Sequence, residues 1–453
     1  MTNDVTLTDE QQIAVEKIKE FLADKDKREF LFIGPAGSGK TFTLKYAIKS
    51  WTSSKELVKG ATVSHAAKAV LSESIGDIAQ CYTILQLLAM KPVWGKTGKN
   101  YERIKNKAMP IKDALLIVID ECSMIDEEML DLIRKSAAHN SKIIFTGDSR
   151  QLPPVSDDDK SSPTFLIKDY AELTKSRRFS GPIGEVAQFY RAYVDYAEAN
   201  GRYMNPANLL SYLPVQETEA SLVAFTKNRE YFDYMVRDYI KVYHNNARIL
   251  CFRNDIIDSY NESMREMIYG DIRDTICVGE KVVLNAPYKS QGREPVYFHN
   301  GEIIEVDDVS ISYIDVSFIN PEEVEDYEKG LSYHQYKVYD IYVDRGPFES
   351  HVLHHIHPDS YPQYFRAKNL LEKIAKETKR NSAWANFRRF NDTFLNFSYL
   401  YAQSSHKAQG QSIDHVFVLA DDILSTGVSW ETKLKSLYVA ATRAKKSLFV
   451  LMK

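Results

Sequence analysis

At 453 residues, with 44% hydrophobic and 26% charged residues, the chain has the composition of a globular protein too long for a single core. Its formal net charge of −4 means that any binding to a polyanion has to come from a local groove and not from the global balance. The cysteines Cys81, Cys122, Cys251 and Cys277 form no CxxC pair, the N-terminus MTNDVTLTDEQQ is polar, and no apolar run approaches the roughly 18 residues of a membrane span; these features exclude a disulfide framework and a cysteine-rich zinc site and predict a cytoplasmic protein, neither secreted nor in a membrane.

Up to about Arg178, short apolar runs alternate with amphipathic segments. EFLFIG, KGATVS, ALLIVIDE and SKIIFTGD read as buried parallel strands, each followed by a loop and a helix-like segment, which is the pattern of an α/β domain. After the first strand comes Gly34-Pro35-Ala36-Gly37-Ser38-Gly39-Lys40-Thr41, a match to G-x-x-x-x-G-K-[ST] between a strand and a helix, where that motif belongs. Its glycines let backbone N–H groups approach phosphate oxygens, and the helix start, through Phe42, adds positive potential. Lys40 is expected to reach the β- and γ-phosphates and the Thr41 hydroxyl to ligate Mg²⁺, so ATP and Mg²⁺ are the predicted cofactors.

KGATVS runs into Ser64-His65-Ala66-Ala67-Lys68, the start of a helix. By residue type this is a solvated helix face, although such a start can also hold a nucleic-acid phosphate. From Cys81 to Lys112 the alternation breaks, and the part from Gly95 to Lys112 holds six Lys/Arg against one Glu. It reads as an inserted hairpin or small subdomain, or as a solvated basic loop. ALLIVIDE then ends in Asp120 and Glu121, and two carboxylates at the tip of an apolar strand are costly unless they meet a cation. Asp120 is placed to hold Mg²⁺ and Glu121 to orient and deprotonate an attacking water, which favours hydrolysis over passive binding. In FTGDSRQLPPV, Gln151 can hydrogen-bond both that water and a γ-phosphate.

From Gly181 the sequence turns helical and returns to a strand in ARILCF; from about Gly270 to Ser350 it becomes β-rich, with KVVLNAP, EIIEVDD, YIDVSFI and YKVYDIYVD. A helical stretch follows, and α/β character resumes with HVFVL, WETKLKSLYVAATRAKK and SLFVLM. The economical reading is a second α/β domain split by a β-rich insertion. HVLHHIHP is not expected to be a metal site, because on a strand His354 faces away from His351, His355 and His357.

Taken together, the glycine loop, DECSM and GDSRQLPPV resemble the helicases of superfamily 1, specifically the RecD/Dda-type (1B) branch, over nearly the whole chain and in order. LTDEQ, VSHAAKAVL, LTKSRR, HKAQGQS and YVAATRAKK are similar to further motifs of that family. The resemblance implies two RecA-like parallel-sheet motor domains, at residues 1–80 with 113–180 and 181–270 with 396–453. It also implies an inserted pin at 81–112 and an SH3-like β-barrel insertion with a helical extension at 271–395. It implies that Gln11 reads the adenine base and that Gly410 and Gln411 face the nucleotide. Arg178 (favoured over its neighbour Arg177) and Arg443 would reach the γ-phosphate, where an arginine finger contributes about 10³–10⁵ in rate. Ser64, His65, Lys68, Tyr82, Ser405, His406 and Lys407 would contact DNA, and Tyr101 or Ile104 would split the duplex. The implied activity is ATP-dependent 5′→3′ movement on single-stranded DNA with strand separation at duplex forks by a monomer, and replication or recombination proteins are compatible partners. A translocase that separates no strands, and a nucleotide-switched binding module, are the alternatives; Glu121, Gln151 and Arg443 speak against the second.

Overall fold

The computed structural model describes residues 7–95, 98–154, 161–176, 181–201, 216–218, 221–270, 276–290, 296–316, 335–346 and 350–452. The chain divides into two compact units, Met1–Asp258 with Tyr401–Lys453, and Ser259–Leu400.

The first unit contains two parallel sheets. In one, the strands run in the order Gln80–Thr83, Val58–Thr62, Leu116–Ile119, Lys142–Gly147, Glu29–Ile33, Tyr170–Glu172, all parallel. Alternate residues of these apolar strands face two separate cores, as the period of two requires. Phe30, Phe32, Leu116, Val118 and Ile144 pack with the helices Asp9–Ala23, Lys40–Trp51 and His65–Ile75. Leu31, Ile117, Ile119, Ile143 and Phe145 pack on the other face with Leu130 and Ile133 of Glu127–Ser136.

The other sheet has the order Ala402–Ser404, Ala247–Cys251, Ile413–Leu419, Ala444–Leu451, Leu222–Thr226, Gln216–Glu217, with only the last strand antiparallel. Val416, Val418, Leu448 and Val450 bury against the helices Pro182–Asn200 and Trp430–Ala441. Phe417 and Phe449 stack at 4.6 Å on the opposite face, where Phe232 and Tyr239 of Arg229–Tyr243 meet them edge-on. Both sheets thus have helices on both faces, the doubly wound arrangement expected of two α/β motor domains.

The inserted segment is smaller than the sequence suggests. Gln80–Thr83 is the edge strand of the first sheet, and the insertion proper is an antiparallel hairpin, Met90–Gly95 with Gly98–Arg103. The apolar residues at 81–88 had no visible alternation because they serve one strand and a single helical turn, Ile84–Leu87.

In the second unit, the described strands fall into three antiparallel sheets around a shared core of Val282, Leu284, Phe298, Ile304, Ile341 and Leu353. These are the described strands of the segment expected to form an SH3-like barrel. Phe397–Tyr399 pairs with Lys281–Leu284, so the unit runs on to Leu400, beyond the boundary at 395. Arg265 and Glu280 form a buried bidentate ion pair at 2.7 and 3.1 Å, which brings Ser259–Tyr269 into the same unit. The helices Tyr361–Thr378 and Asn381–Asn391 complete it. The histidines are engaged in structure: His354 Nδ1 lies 2.7 Å from Asp340, and His355 Nδ1 lies 2.8 Å from the Leu395 carbonyl. Burial pulls the His355 pKa down to about 4.

Candidate nucleotide and nucleic-acid site

Glu29–Ile33, Leu116–Ile119 and Lys142–Gly147 lie side by side and parallel, so the loops leaving their carboxyl ends meet. Those loops are the glycine loop, Asp120-Glu121 and Gly147 to Gln151. Gly34 N–H donates to the Gly147 carbonyl at 3.1 Å, joining two of them. The Lys40 ammonium donates to the Gly34 and Pro35 carbonyls at 2.8 and 3.0 Å, so it lies inside the loop's curve. Gly39 caps the helix Lys40–Trp51 with φ +89°, and a Cβ there would fall 2.6 Å from Gln11 Nε2. Gln11 is buried, completes a capping box with Thr8 at the start of Asp9–Ala23, and reaches the Ser38 carbonyl at 3.5 Å. The N-terminal helix is thereby held against the glycine loop. Thr41 is half-buried and Phe42 exposed at the start of the helix that follows.

Burial, and then the neighbouring Glu121 charge, push the Asp120 carboxyl up to about 7, with Lys40 opposing. Glu121 takes a left-handed backbone conformation, φ +55°, as the residue entering the turn Cys122–Met124. Such a conformation costs a non-glycine residue roughly 1–3 kcal/mol and persists only where its surroundings over-determine it.

The second sheet contributes the loop after Ala402–Ser404. Gln409 Nε2 donates to Gln151 Oε1 and to Ser123 Oγ, both at 3.0 Å, and all three side chains are buried. Gly410, φ +79°, packs so closely that a Cβ there would lie 2.8 Å from Ala67 Cβ and 3.8 Å from Glu121 Oε1. Gln411, expected at the nucleotide, instead bonds Gln403 at 3.0 Å and the Lys407 carbonyl at 2.7 Å within its own domain. The backbone turn at Gly410 separates the two glutamines, and Gln409 is the one aimed across the cleft. Arg443 is buried and donates to the carbonyls of Gln411 and Val439 at 3.1 Å and to Thr442 Oγ1 at 3.0 Å. Arg178, with Arg177, lies outside the described residues.

Of the residues expected on DNA, Ser64 caps the helix His65–Ile75 by accepting from Ala67 N–H at 3.1 Å, and Lys68 donates to Gln86 at 3.2 Å on the same surface. His65 is half-buried. Tyr82 packs partly into the core, with its hydroxyl 3.2 Å from Gln80. Ser405 is fully buried, which removes it from any strand contact; Ser404 is the residue that caps this turn, accepting from Lys407 N–H at 3.2 Å. His406 is half-buried against Phe252, and Lys407 is exposed. Tyr101 pairs with Pro92 midway along the hairpin and packs against the domain core, where burial pushes its phenol up to about 12. Ile104 follows the hairpin, its N–H closing onto the Ala89 carbonyl at 2.8 Å. Neither residue is at the tip, where Gly95 pairs with Gly98.

The AAA domain family matches residues 6–192, and the UvrD-like helicase C-terminal domain family matches residues 399–451. The ATP-dependent DNA helicase dda of Enterobacteria phage T4 is 26% identical over 98% of each chain. Over nearly its whole length the chain is thus similar to helicases of superfamily 1B type. The ATP-dependent DNA helicase Pif1 of Campylobacter jejuni is 30% identical over 27% of this chain and 28% of its own length. The Pif1 helicase from Bacteroides, solved with ADP-AlF3 and single-stranded DNA, superposes with a TM-score of 0.50 at 17% identity, covering 98% of this chain and 92% of that one, a likeness of fold.

The residue missed by sequence reasoning is Gln409. Its neighbours in HKAQGQS carried the family signal, and nothing in the spacing tells which of two glutamines, two residues apart, turns toward the other domain. Asp148 was passed over in the same way within GDSRQ, although it is completely buried.

Proposed function

We propose that this chain is an ATP-dependent DNA helicase that moves 5′→3′ along single-stranded DNA and separates the strands of forked duplex. The observation that carries the reading is the pair of hydrogen bonds from Gln409 to Gln151 and Ser123. Three residues before the exposed Lys407, the same short segment begins at Ser404; two residues beyond it, the segment enters the hydrolytic machinery of the other domain. A loop that carries a cation for a DNA phosphate and touches the γ-phosphate reader gives each ligand a differential contact with the other's site, as coupling requires. The relative from phage T4, named as an ATP-dependent DNA helicase and matched end to end, supports the same activity.

The glycine loop and Lys40 hold the phosphates, and Gln11 fixes the base end of the site. Glu121 takes the proton from the attacking water, which Gln151 orients. Arg443 and Arg178 stabilise the charge that builds on the transferring phosphoryl group. The residues fit Mg²⁺: a buried carboxylate whose proton is held up to about 7, with a second carboxylate beside it, is a site that a divalent cation relieves. Thr41 and Asp120 would hold the ion, which would neutralise charge on the phosphates. His406, Lys407, Lys68 and the helix start at Ser64 form the strand-binding surface. Both halves of the cleft belong to one chain, so a monomer suffices.

The deciding experiment is strand separation on duplexes carrying either a 5′ or a 3′ single-stranded tail, with ATPase followed in parallel. Unwinding of the 5′-tailed substrate alone is expected. ATPase unaffected by single-stranded DNA would sink the helicase reading. Stimulated ATPase with no unwinding on either substrate would leave a translocase.

A further inference from the structure

The loop Gly147 to Gln151 does more than present Gln151. Asp148 has no exposed side-chain surface, and among the described residues its carboxylate accepts four hydrogen bonds. Two come from the first domain: Ala36 N–H to Oδ2 at 3.2 Å and Arg150 N–H to Oδ1 at 3.1 Å. Two come from the second: Arg191 Nη1 to Oδ1 at 2.6 Å and the Tyr438 hydroxyl to Oδ2 at 2.6 Å. The Tyr438 oxygen also lies 3.4 Å from Ala36 N. Ala36 is the third residue of the phosphate-binding loop, and its carbonyl accepts from Ser176 Oγ at 2.8 Å, so the peptide groups on both sides of this residue are held.

Next to Asp148, the Arg150 guanidinium pairs with Asp195 and Glu198. Arg191, Asp195 and Glu198 lie at i, i+4 and i+7 on the helix Pro182–Asn200, so one face of that helix meets the loop through complementary charges. Tyr438 is on Trp430–Ala441, five residues before Arg443.

We propose that Asp148, Arg191 and Tyr438 form the joint between the phosphate-binding loop and the second motor domain, with Asp148 as a positioning residue for nucleotide-driven closure. A carboxylate serving only its own domain would need no donors from the other. This one divides its four donors evenly between the domains, and one of them is the phosphate loop itself. Opening the cleft removes Arg191 and Tyr438 from a buried charge, which is unfavourable; closing restores them and fixes the Ala36 peptide. The state of the glycine loop and the spacing of the domains are thereby linked. The inference rests on the motor reading above and adds the element through which the motor transmits its step.

The test uses the full chain with Arg191→Gln, Tyr438→Phe and the double variant Asp148→Asn with Arg191→Gln. Three quantities are read: affinity for a fluorescent ATP analogue without DNA, the factor by which oligo-dT stimulates ATPase, and ATP consumed per base pair unwound. In Arg191→Gln the stimulation factor is expected to fall about 5–150-fold, well beyond any loss of nucleotide affinity, with more ATP consumed per base pair. Tyr438→Phe is expected to fall in the same direction by a smaller factor. The double variant is expected to be no worse than Arg191→Gln, because the pair acts as a unit. A folded Arg191→Gln with wild-type stimulation and coupling overturns the joint; should that variant not fold, the same result in Tyr438→Phe does so. Absence of stimulation in the wild type would instead refute the helicase reading itself.

Discussion

Gly410→Ala puts the close approach of the two motor domains under the most direct strain. The new methyl would lie 2.8 Å from Ala67 Cβ, where ordinary contact begins at 3.4 Å, so the surroundings must give by about 0.6 Å or more. At φ +79° the backbone adds about 1–2 kcal/mol for an L-residue, and overpacking adds about 1–3 kcal/mol. The chain relieves the overlap by holding the domains apart, so this second contribution falls on the closed arrangement and not on folding. That contribution of about 1–3 kcal/mol against closure corresponds to a drop of about 5-fold to 150-fold in DNA-stimulated kcat, at about 1.4 kcal/mol per tenfold. Steady-state ATPase with saturating oligo-dT measures it, with thermal unfolding as the control for stability. Ala67→Gly in the same chain removes the 2.8 Å contact and leaves the Cα at 3.5 Å, so the double variant is expected to recover most of that loss while retaining the backbone strain. Wild-type turnover in Gly410→Ala, or no recovery in the double variant, would refute the packing argument.

Lys407→Ala is expected to weaken binding to single-stranded DNA and to lower the slope of log K against log salt by about 0.7, the value for one phosphate contact on a single strand; fluorescence anisotropy at several salt concentrations measures both, and an unchanged slope removes Lys407 from the channel. Asp120→Asn is expected to abolish hydrolysis and to stabilise the fold at alkaline pH in EDTA. The buried carboxyl, moved from 3.8 to about 7, binds its proton more tightly folded than unfolded, so wild-type stability falls as pH rises through that window, by at most about 4 kcal/mol. The variant lacks this loss, so its advantage in Tm is expected at pH 8 and should vanish near pH 4; equal Tm values at pH 8 would show that burial of Asp120 carries no such cost.

Much of this was legible in the residues alone. Strands buried on both faces have to be continuously apolar, so EFLFIG, ALLIVIDE and SKIIFTGD announced themselves, and a parallel sheet delivers the loops after them to one edge. The nucleotide site is local chemistry, a glycine loop and two acids in fixed relation to their strands, and local chemistry survives in sequence. The insertion was less legible: a charged, glycine-containing hairpin has no apolar face to mark its limits, so the expected insertion at 81–112 took in the end of the edge strand Gln80–Thr83, and Tyr101 and Ile104 lie away from the hairpin tip.

What only the tertiary structure decided is the side-chain partnership across the cleft. Gln409 and Gln411 are equivalent on paper, and a positive φ at Gly410 sends the first to Gln151 and keeps the second at home. Ser404 and Ser405 differ by one position, and the helix cap takes the former while the core takes the latter. Asp148 meets Ala36 from 112 residues away and Tyr438 from 290. Sequence determines which groups each strand carries to its end; which of them meet depends on how two separately folded sheets close on one another, and no periodicity within either sheet encodes that.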